Sequence, residues 1–430
     1  MSARTIEQHR EAVATLLAPL FQSRSVEKLA LSSGGLTADP DGFRARTLAA
    51  AVASPVSLPP FDNSQMDGYA VRSGDLAAAA AGTTVTLRVA DRIAAGDTGT
   101  PLQTGTAAPI MTGAPIPPGA DAVVPIEQAD PPRFLPQAAA GTVSFVAPVA
   151  AGTFVRPAGS DVAAGDQLLP AGSHLGPAQL GVLAGTGVTE ITVLRRIRVL
   201  LIATGHEIRA AGEQLSAGQI YDSNSVILTK ALHDAGCTVI ARPCPSDDAA
   251  DLLALLAAEP EVDLIVTVGG VSAGAREVVR DALGPLGVDF VHVAMQPGGP
   301  QGLGEIARQG GAHGDAAGAP VPVISFPGNP VSALISFEVF LRPLLRTLAG
   351  LPRPDRALLR APLSAAVDSP AGKHQLRRGV LRPDGTLELV GGASSHLLHA
   401  YAAATALVHL PVGLDRVAAG EPVDYWSIDD

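Results

Sequence analysis

The residues with chemistry to offer in this 430-residue chain collect where apolar runs end. TGHEI follows RVLLIAT and sets Glu207 at the end of a strand, GQIYDSN brings Asp222, Ser223 and Asn224 to the start of a helical pattern, and Ser246, Asp247 and Asp248 follow TVIARP. Carboxylates so placed can ligate a hard cation or cap a helix; for Asp222 the two readings stand level, and capping accounts for at least one residue of the 246–248 group. TVGGVSAGARE then puts Gly269, Gly270 and Gly274 ahead of a helix, where backbone N–H groups can approach a phosphate. PGGP and SFPGNPVS repeat the arrangement after two further runs. Any one such turn is ordinary tight packing, but three on one rim favour an anion site.

The elements that must hold these turns are legible. RVLLIAT, TVIARP, DLIVTVGG, DFVHVAM and VPVISFPG read as five strands, with the helical patterns SNSVILTKALHDAG, DDAADLLALLAAE and REVVRDALGPLG between the first four. Continuous apolar strands alternating with amphipathic helices predict a doubly wound, mostly parallel α/β sheet whose ligands bind beyond the carboxyl ends of the strands. NPVSALISFEVFLRPLLRTLAG reads as one long helix, and HQLRRGVLRPDGTLELV as a hairpin turning at Asp-Gly. Earlier in the chain, RARTLAAAVAS reads as a short helix and PAQLGVLAGTG as another, while TTVTLRVADRI and TVSFVAPV carry the alternation of a small β domain. Between them stands PPFDNSQMDGYAVR, a polar loop with two carboxylates, Asp62 and Asp67.

Composition removes several classes. The net charge of −11 and 3% aromatic content argue against a nucleic-acid binder, which needs a basic field and stacking surfaces. Cys237 and Cys244 form no metal or disulfide pattern, no apolar run is long enough for a membrane span, and the N-terminus reads as an amphipathic helix rather than a signal peptide, so a cytoplasmic protein is expected. No dinucleotide fingerprint, P-loop, His-Glu-x-x-His pair or Gly-x-Ser-x-Gly elbow occurs.

PPFDNSQMDGYAVR, IMTGAPIPPGADAVVPIEQ, ATGHEI, GQIYDSNS, TVGGVSAG, VAMQPGGPQG, FPGNPVSALISFE and GGASSHLL stand in the order of the molybdopterin molybdenumtransferase (MoeA) family, which includes the gephyrin E domain; the chain resembles that family from about Leu29 onward. The resemblance implies an elongated four-domain protomer that forms a homodimer. Its parts would be residues 1–58 with 150–195, a β-rich domain at 59–149, an α/β domain similar to molybdopterin adenylyltransferases at 196–351, and a C-terminal β domain at 352–430. It implies Mg²⁺-dependent insertion of molybdate into adenylated molybdopterin with release of AMP. The alternative is a non-catalytic paralogue that binds or stores molybdopterin or the finished cofactor. Molybdopterin adenylyltransferase and molybdoenzymes are the implied protein partners.

Carried over by motif, the catalytic candidates are Asp67, Thr112, Asp161, Glu207, Asp247 and Glu277, with Glu207, Asp247 and Glu277 as candidate metal ligands. The cofactor-binding candidates are Gly269, Gly270, Ser272, Gly274, Pro297, Gly298, Pro327, Gly328, Asn329, Pro330, Ser332, Arg378 and Ser395. The chain departs from the pattern at PGGP, where Gly299 replaces the family's lysine, at Gln296, and at Ala275, where relatives often carry an acid. Arg276 and Arg280 are the expected sources of compensating charge.

Overall fold

Helix α1 (Ile6–Gln22) starts at Thr5, whose Oγ1 accepts the Gln8 N–H while the Gln8 side chain accepts the Thr5 N–H. This reciprocal pair satisfies two donors that a first turn would leave open. The computed structural model describes residues 3–135, 141–259, 261–272, 277–307 and 319–428. The chain divides into two units, one of residues 1–28, 39–49 and 192–430, the other of residues 29–38 and 50–191.

The smaller unit is built on six strands: β1 (Gly68–Val71), β2 (Val85–Val89), β3 (Thr106–Ile110), β4 (Ala122–Pro125), β5 (Ala129–Asp130) and β6 (Thr142–Phe145), ordered β4-β1-β3-β2-β6-β5. Only β2 and β3 run parallel. Successive residues of a strand face opposite ways. Tyr69 and Val71 therefore enter one apolar cluster with Leu87 and Phe145, and Ala70 enters another with Ile110 and Val123. β1 is thus buried on both faces, and it begins one residue after Asp67, which anchors the polar loop to a rigid strand. Helix α2 (Pro177–Gly185) matches the pattern in PAQLGVLAGTG. The helix expected over RARTLAAAVAS is absent. Ala45 takes φ 51°, Leu48 bridges to Val193, and Val52–Ala53 pair with Gln167–Leu169, so backbone pairing overrides the weak preference of alanine for helix.

In the larger unit the strands are β7 (Arg198–Thr204), β8 (Thr238–Cys244), β9 (Leu264–Val268), β10 (Val288–His292), the two-residue β11 (Met295–Gln296), β12 (Pro300–Ile306) and β13 (Val321–Phe326). The α/β sheet runs β8-β7-β9-β13-β12-β10. β8, β7, β9 and β13 are parallel; β12, unforeseen, lies antiparallel between β13 and β10. Two reversals leave β10 running with β13, so the turn after it still points to the common rim. Val199 and Leu201 of β7 face one core with α3 (Asn224–Asp234), while Leu200 and Ile202 face another with α4 (Ala249–Ala258) and α5 (Val278–Leu283). Helices on both faces make this the doubly wound domain foreseen above.

The long helix after β13 is interrupted. α6 (Pro330–Ser336) passes into a π turn at Phe337–Leu341 and resumes as α7 (Arg342–Leu348). Pro343 offers no N–H and crowds the carbonyl four residues back, and a widened turn accommodates it. The chain ends in β14 (Leu358–Pro362), β15 (His374–Leu381), β16 (Leu387–Leu389), β17 (Ala406–Leu410) and β18 (Pro422–Ser427), ordered β11-β15-β17-β18-β14 with β16 paired to β15. β11 therefore stitches the α/β domain to the C-terminal sheet, with Gln296 opposite Gln375.

Candidate functional site

A cleft of about 530 Å³ opens over the carboxyl ends of β7, β9 and β13. Its walls are the turns singled out in the sequence: residues 204–208 after β7, residues 220–224 ahead of α3, Asp247 after β8, residues 269–272 after β9, and residues 328–330 after β13, together with Glu277 and Val278. Gly269 has φ 96°, and a Cβ there would meet the Thr204 carbonyl oxygen at 2.8 Å; a Cβ on Gly328 would meet Gly269 Cα at 3.2 Å. The glycines let two turns close on one another. Gly274, Ala275 and Arg276 lie outside the described residues.

The acidic residues divide by partner. Asp222 caps α3, accepting the Ser225 N–H at 3.0 Å and its hydroxyl, and Asp248 caps α4 through the Ala250 N–H at 2.9 Å. Asp247 instead faces His206, with Nδ1 2.9 Å from its Oδ2, and Glu207 stands 3.8 Å from the same nitrogen. Glu277 accepts the Ser272 N–H at 3.0 Å. Asn224 donates through Nδ2 to the Gly328 carbonyl at 2.7 Å, which fixes its amide; its Oδ1, like that of Asn329, is buried without a donor among the described residues. His206 and Asn224 join the assigned residues through contact alone. Arg280 Nη1 donates to the Ser272 carbonyl at 3.3 Å, and its guanidinium lies 5.7 Å from the Phe290 ring centroid.

Pro297 and Gly298 line a different place. Their turn follows the edge strand β10, two strands from β13, and Gln301 donates from Nε2 to the Gly298 carbonyl and to Ser336 Oγ, both at 2.7 Å. Gly299 is buried, and a Cβ on it would stand 2.5 Å from His292 Cε1. The imidazole occupies the space where a longer residue would begin. Pro327 and Ser332 are buried at the start of the helix after β13.

On the C-terminal sheet, Arg378 is fully buried; its Nη2 donates to the carbonyls of Gly392 and Ser394, while Nε and Nη1 have no acceptor among the described residues. Desolvation and the neighbouring Arg377 hold its pKa below the ordinary arginine value. Ser395 follows directly in the 391–394 loop and is half-buried.

Asp67, Thr112 and Asp161 belong to the smaller unit. The Thr112 N–H and hydroxyl both donate to Asp67 Oδ1, at 2.7 and 2.8 Å, and these bonds hold the carboxyl below its ordinary range. Asp62, the loop's other carboxylate, accepts the Ala158 N–H at 2.7 Å. The Asp161 N–H donates to the Leu58 carbonyl at 3.0 Å, and its side chain is exposed beside Pro59, Pro60 and Arg156. Both cysteines are free and buried; burial pushes the Cys237 thiol up to about 12 and raises that of Cys244.

A doubly wound domain with glycine turns on one rim, joined to a β-rich unit bearing the Asp67 loop, recurs in known proteins. Residues 4–187 match the MoeA N-terminal region (domain I and II), 201–347 a probable molybdopterin binding domain, and 360–428 the MoeA C-terminal region (domain IV). The molybdopterin molybdenumtransferase 2 of Mycobacterium tuberculosis is 43% identical over 387 residues, 88% of this chain and 91% of that protein. The molybdopterin molybdenumtransferase of Haemophilus influenzae is 34% identical over 88% of this chain and 90% of its own. The crystal structure of the molybdopterin biosynthesis MoeA protein of Pyrococcus horikoshii aligns with TM-score 0.74 and 28% identity, covering 100% of both chains. The chain belongs to the molybdopterin molybdenumtransferase (MoeA) family of enzymes.

Proposed function

We propose that the protein inserts molybdate into adenylated molybdopterin, releasing AMP and molybdenum cofactor, in a Mg²⁺-dependent reaction. The observation that carries this reading is the cleft itself: the glycine turns 269–272 and 328–330 and the carboxylates Glu207, Asp247 and Glu277 line one cavity at the carboxyl end of the sheet. Backbone N–H groups suit phosphate oxygens, and a cleft of this kind suits a nucleotide-linked substrate. Among the described residues no three His, Cys, Asp or Glu side chains come close enough to cage an ion. That fits Mg²⁺, which keeps several waters and is held by one or two carboxylates together with substrate phosphates. Glu207, Asp247 and Glu277, which line the cleft, are the carboxylates this reading gives to the ion. When bound, the ion supplies neutralisation of pyrophosphate charge. Asp67 of the smaller unit, whose Oδ1 accepts both Thr112 donors, is the loop carboxylate this reading makes catalytic.

The protein works as a homodimer in this reading, in the cytoplasm. The test is conversion of purified adenylated molybdopterin with molybdate and Mg²⁺, following AMP and cofactor together. Stoichiometric AMP and cofactor are expected; cofactor binding without turnover would favour a storage paralogue. Sedimentation at micromolar concentration should show a dimer, and a monomer would count against the assembly.

A further inference from the structure

The chain passes from α7 to β14 through residues 352–356, which two prolines mark as a linker. All five residues are nonetheless fastened to the helices beside them. Arg346 of α7 donates from Nη2 to the Pro352 carbonyl at 2.7 Å and from Nε to the Arg353 carbonyl at 3.3 Å. Arg342 donates from Nη1 to the Pro354 carbonyl at 2.9 Å, and Arg10 of α1 pairs with Asp355 at 3.0 Å. Arg356 grips Glu338 of the π turn with two prongs: Nε donates to Oε2 at 2.7 Å and Nη2 to Oε1 at 3.2 Å. Its Nη1 donates to the Ser427 carbonyl, at the end of β18, at 2.7 Å. Arg342 Nε stands 3.6 Å from the same Glu338 oxygen, and the three side chains are between 9% and 11% exposed.

The C-terminal sheet is thereby tied to the α/β domain at both of its edges. β11, at one edge, offers a pairing of two residues, Met295 with His374 and Gln296 with Gln375. Arg356 stands at the other, where β14 leaves the linker beside β18. Between the edges the contact is apolar, Leu376, Tyr401 and Leu407 sharing a cluster with Phe337 and Phe340. Such contact is non-directional and presses the sheet on the helix without fixing its tilt. A two-pronged arginine–carboxylate pair does fix an angle. For stability alone it is a costly device, since apolar residues of the same volume often serve as well or better. We propose that Glu338 is a positioning residue: acting through Arg356, it sets the tilt of the C-terminal sheet against the Pro297–Gly298 turn. The role rests on the molybdate-insertion reading, in which Arg378 and Ser395 of the sheet and that turn serve one substrate.

The experiment compares Glu338→Gln with the triple variant Glu338→Leu, Arg342→Met, Arg356→Met in the full-length protein. Three quantities are read: melting temperature, molybdate KM and kcat, and the distance between spin labels at Asp289→Cys and Val412→Cys, both exposed, with labelled chains diluted in unlabelled ones. Glu338→Gln should melt lower, because two buried guanidiniums lose their carboxylate. The triple variant should recover the wild-type melting temperature, since no unmatched charge of the triad remains. Its label distances should stay broadened all the same. If the sheet then holds the working tilt in about one molecule in ten, molybdate KM rises about tenfold while kcat holds. A brace with no positioning role gives another pattern: the triple variant regains melting temperature, narrow distances and KM together, and that overturns the proposal. So does a narrow distance distribution in Glu338→Gln, which decides alone if the triple variant does not fold. Should the distances broaden as expected in a protein whose wild type turns over no molybdate, the clasp stands and the functional reading falls.

Discussion

The Asp67 loop and the arginine edge of β15 are both polar, and they are satisfied in opposite ways. In the loop each carboxylate has a donor from its own unit: Asp62 takes Ala158, and Asp67 takes two groups of Thr112. At the arginine edge two cations are buried and three N–H groups lack acceptors. A buried polar group without a partner costs far more than an exposed one: the carboxylates of the first region are served by their own unit, while the second leaves buried N–H groups without an acceptor among the described residues. Removing charge should therefore cost the loop activity and leave its fold intact, whereas removing charge from the edge should cost affinity and spare, or raise, stability.

The largest effect expected is on turnover. Asp67→Asn keeps an oxygen for both Thr112 donors and loses only charge, so molybdenum insertion should fall about a hundredfold, the scale on which preorganised electrostatics act, with only a small loss in melting temperature. Near wild-type turnover would reduce Asp67 to a brace. Arg378→Met should follow, with molybdate affinity down by between about ten- and a hundredfold and thermal stability not lowered; a large drop in melting temperature with normal affinity would erase the contrast between the regions.

Acid should separate the two regions by pH. On β15, His374 Nε2 lies 3.1 Å from His409 Nδ1; His409 packs on Trp426, and its Nε2 is buried without a partner. Burial brings His409 down to about 3 and also lowers His374, which faces Glu7. The unfolded chain takes up these protons near pH 6.5 and the folded chain does not. Stability should hence decline as pH falls from 6.5 toward 3, by up to about 1.4 kcal/mol per pH unit for each histidine. Asp67, held below its ordinary value, stabilises above about pH 4 and yields only as pH falls through its lowered pKa. Denaturant titrations should show His409→Gln flattening the stability curve between pH 4 and 6 and Asp67→Asn leaving that range untouched; a flat wild-type curve there would remove the distinction.

The smallest change is at Gly299. Lysine there must displace the His292 ring, so Gly299→Lys should destabilise by about 1–3 kcal/mol and improve molybdate affinity only when combined with His292→Ala. Equal stability of the single variant and the wild type would show that the imidazole swings aside freely.

The sheet was readable where burial is continuous: RVLLIAT and VPVISF are apolar at nearly every position because helices cover both faces. PQGLGEI escaped notice although it is an interior strand. A Cβ on Gly302 would meet Ser325 Cβ at 2.8 Å and one on Gly304 the Gly287 carbonyl at 2.5 Å, so glycines required by close packing imitate a loop. Asp222 shows the limit for sites, since a cap and a ligand have the same spelling until Ser225 is seen to fill it. Arg377 carried no signal at all: in an Arg-Arg pair alternation predicts one residue facing outward, whereas both are buried.

The sealed thiols have a consequence for the cargo. Cys244 ends β8, where its carbonyl accepts the Gly205 N–H beside the cleft, yet the residue is only 2% exposed, as is Cys237. Thiolates are soft ligands that seize transition metals, and a protonated thiol in an apolar seat is a poor one. In the proposed reaction the metal must pass to the dithiolene of the substrate. With both cysteines withdrawn, neither thiol of the chain competes with the substrate's sulfurs for the metal.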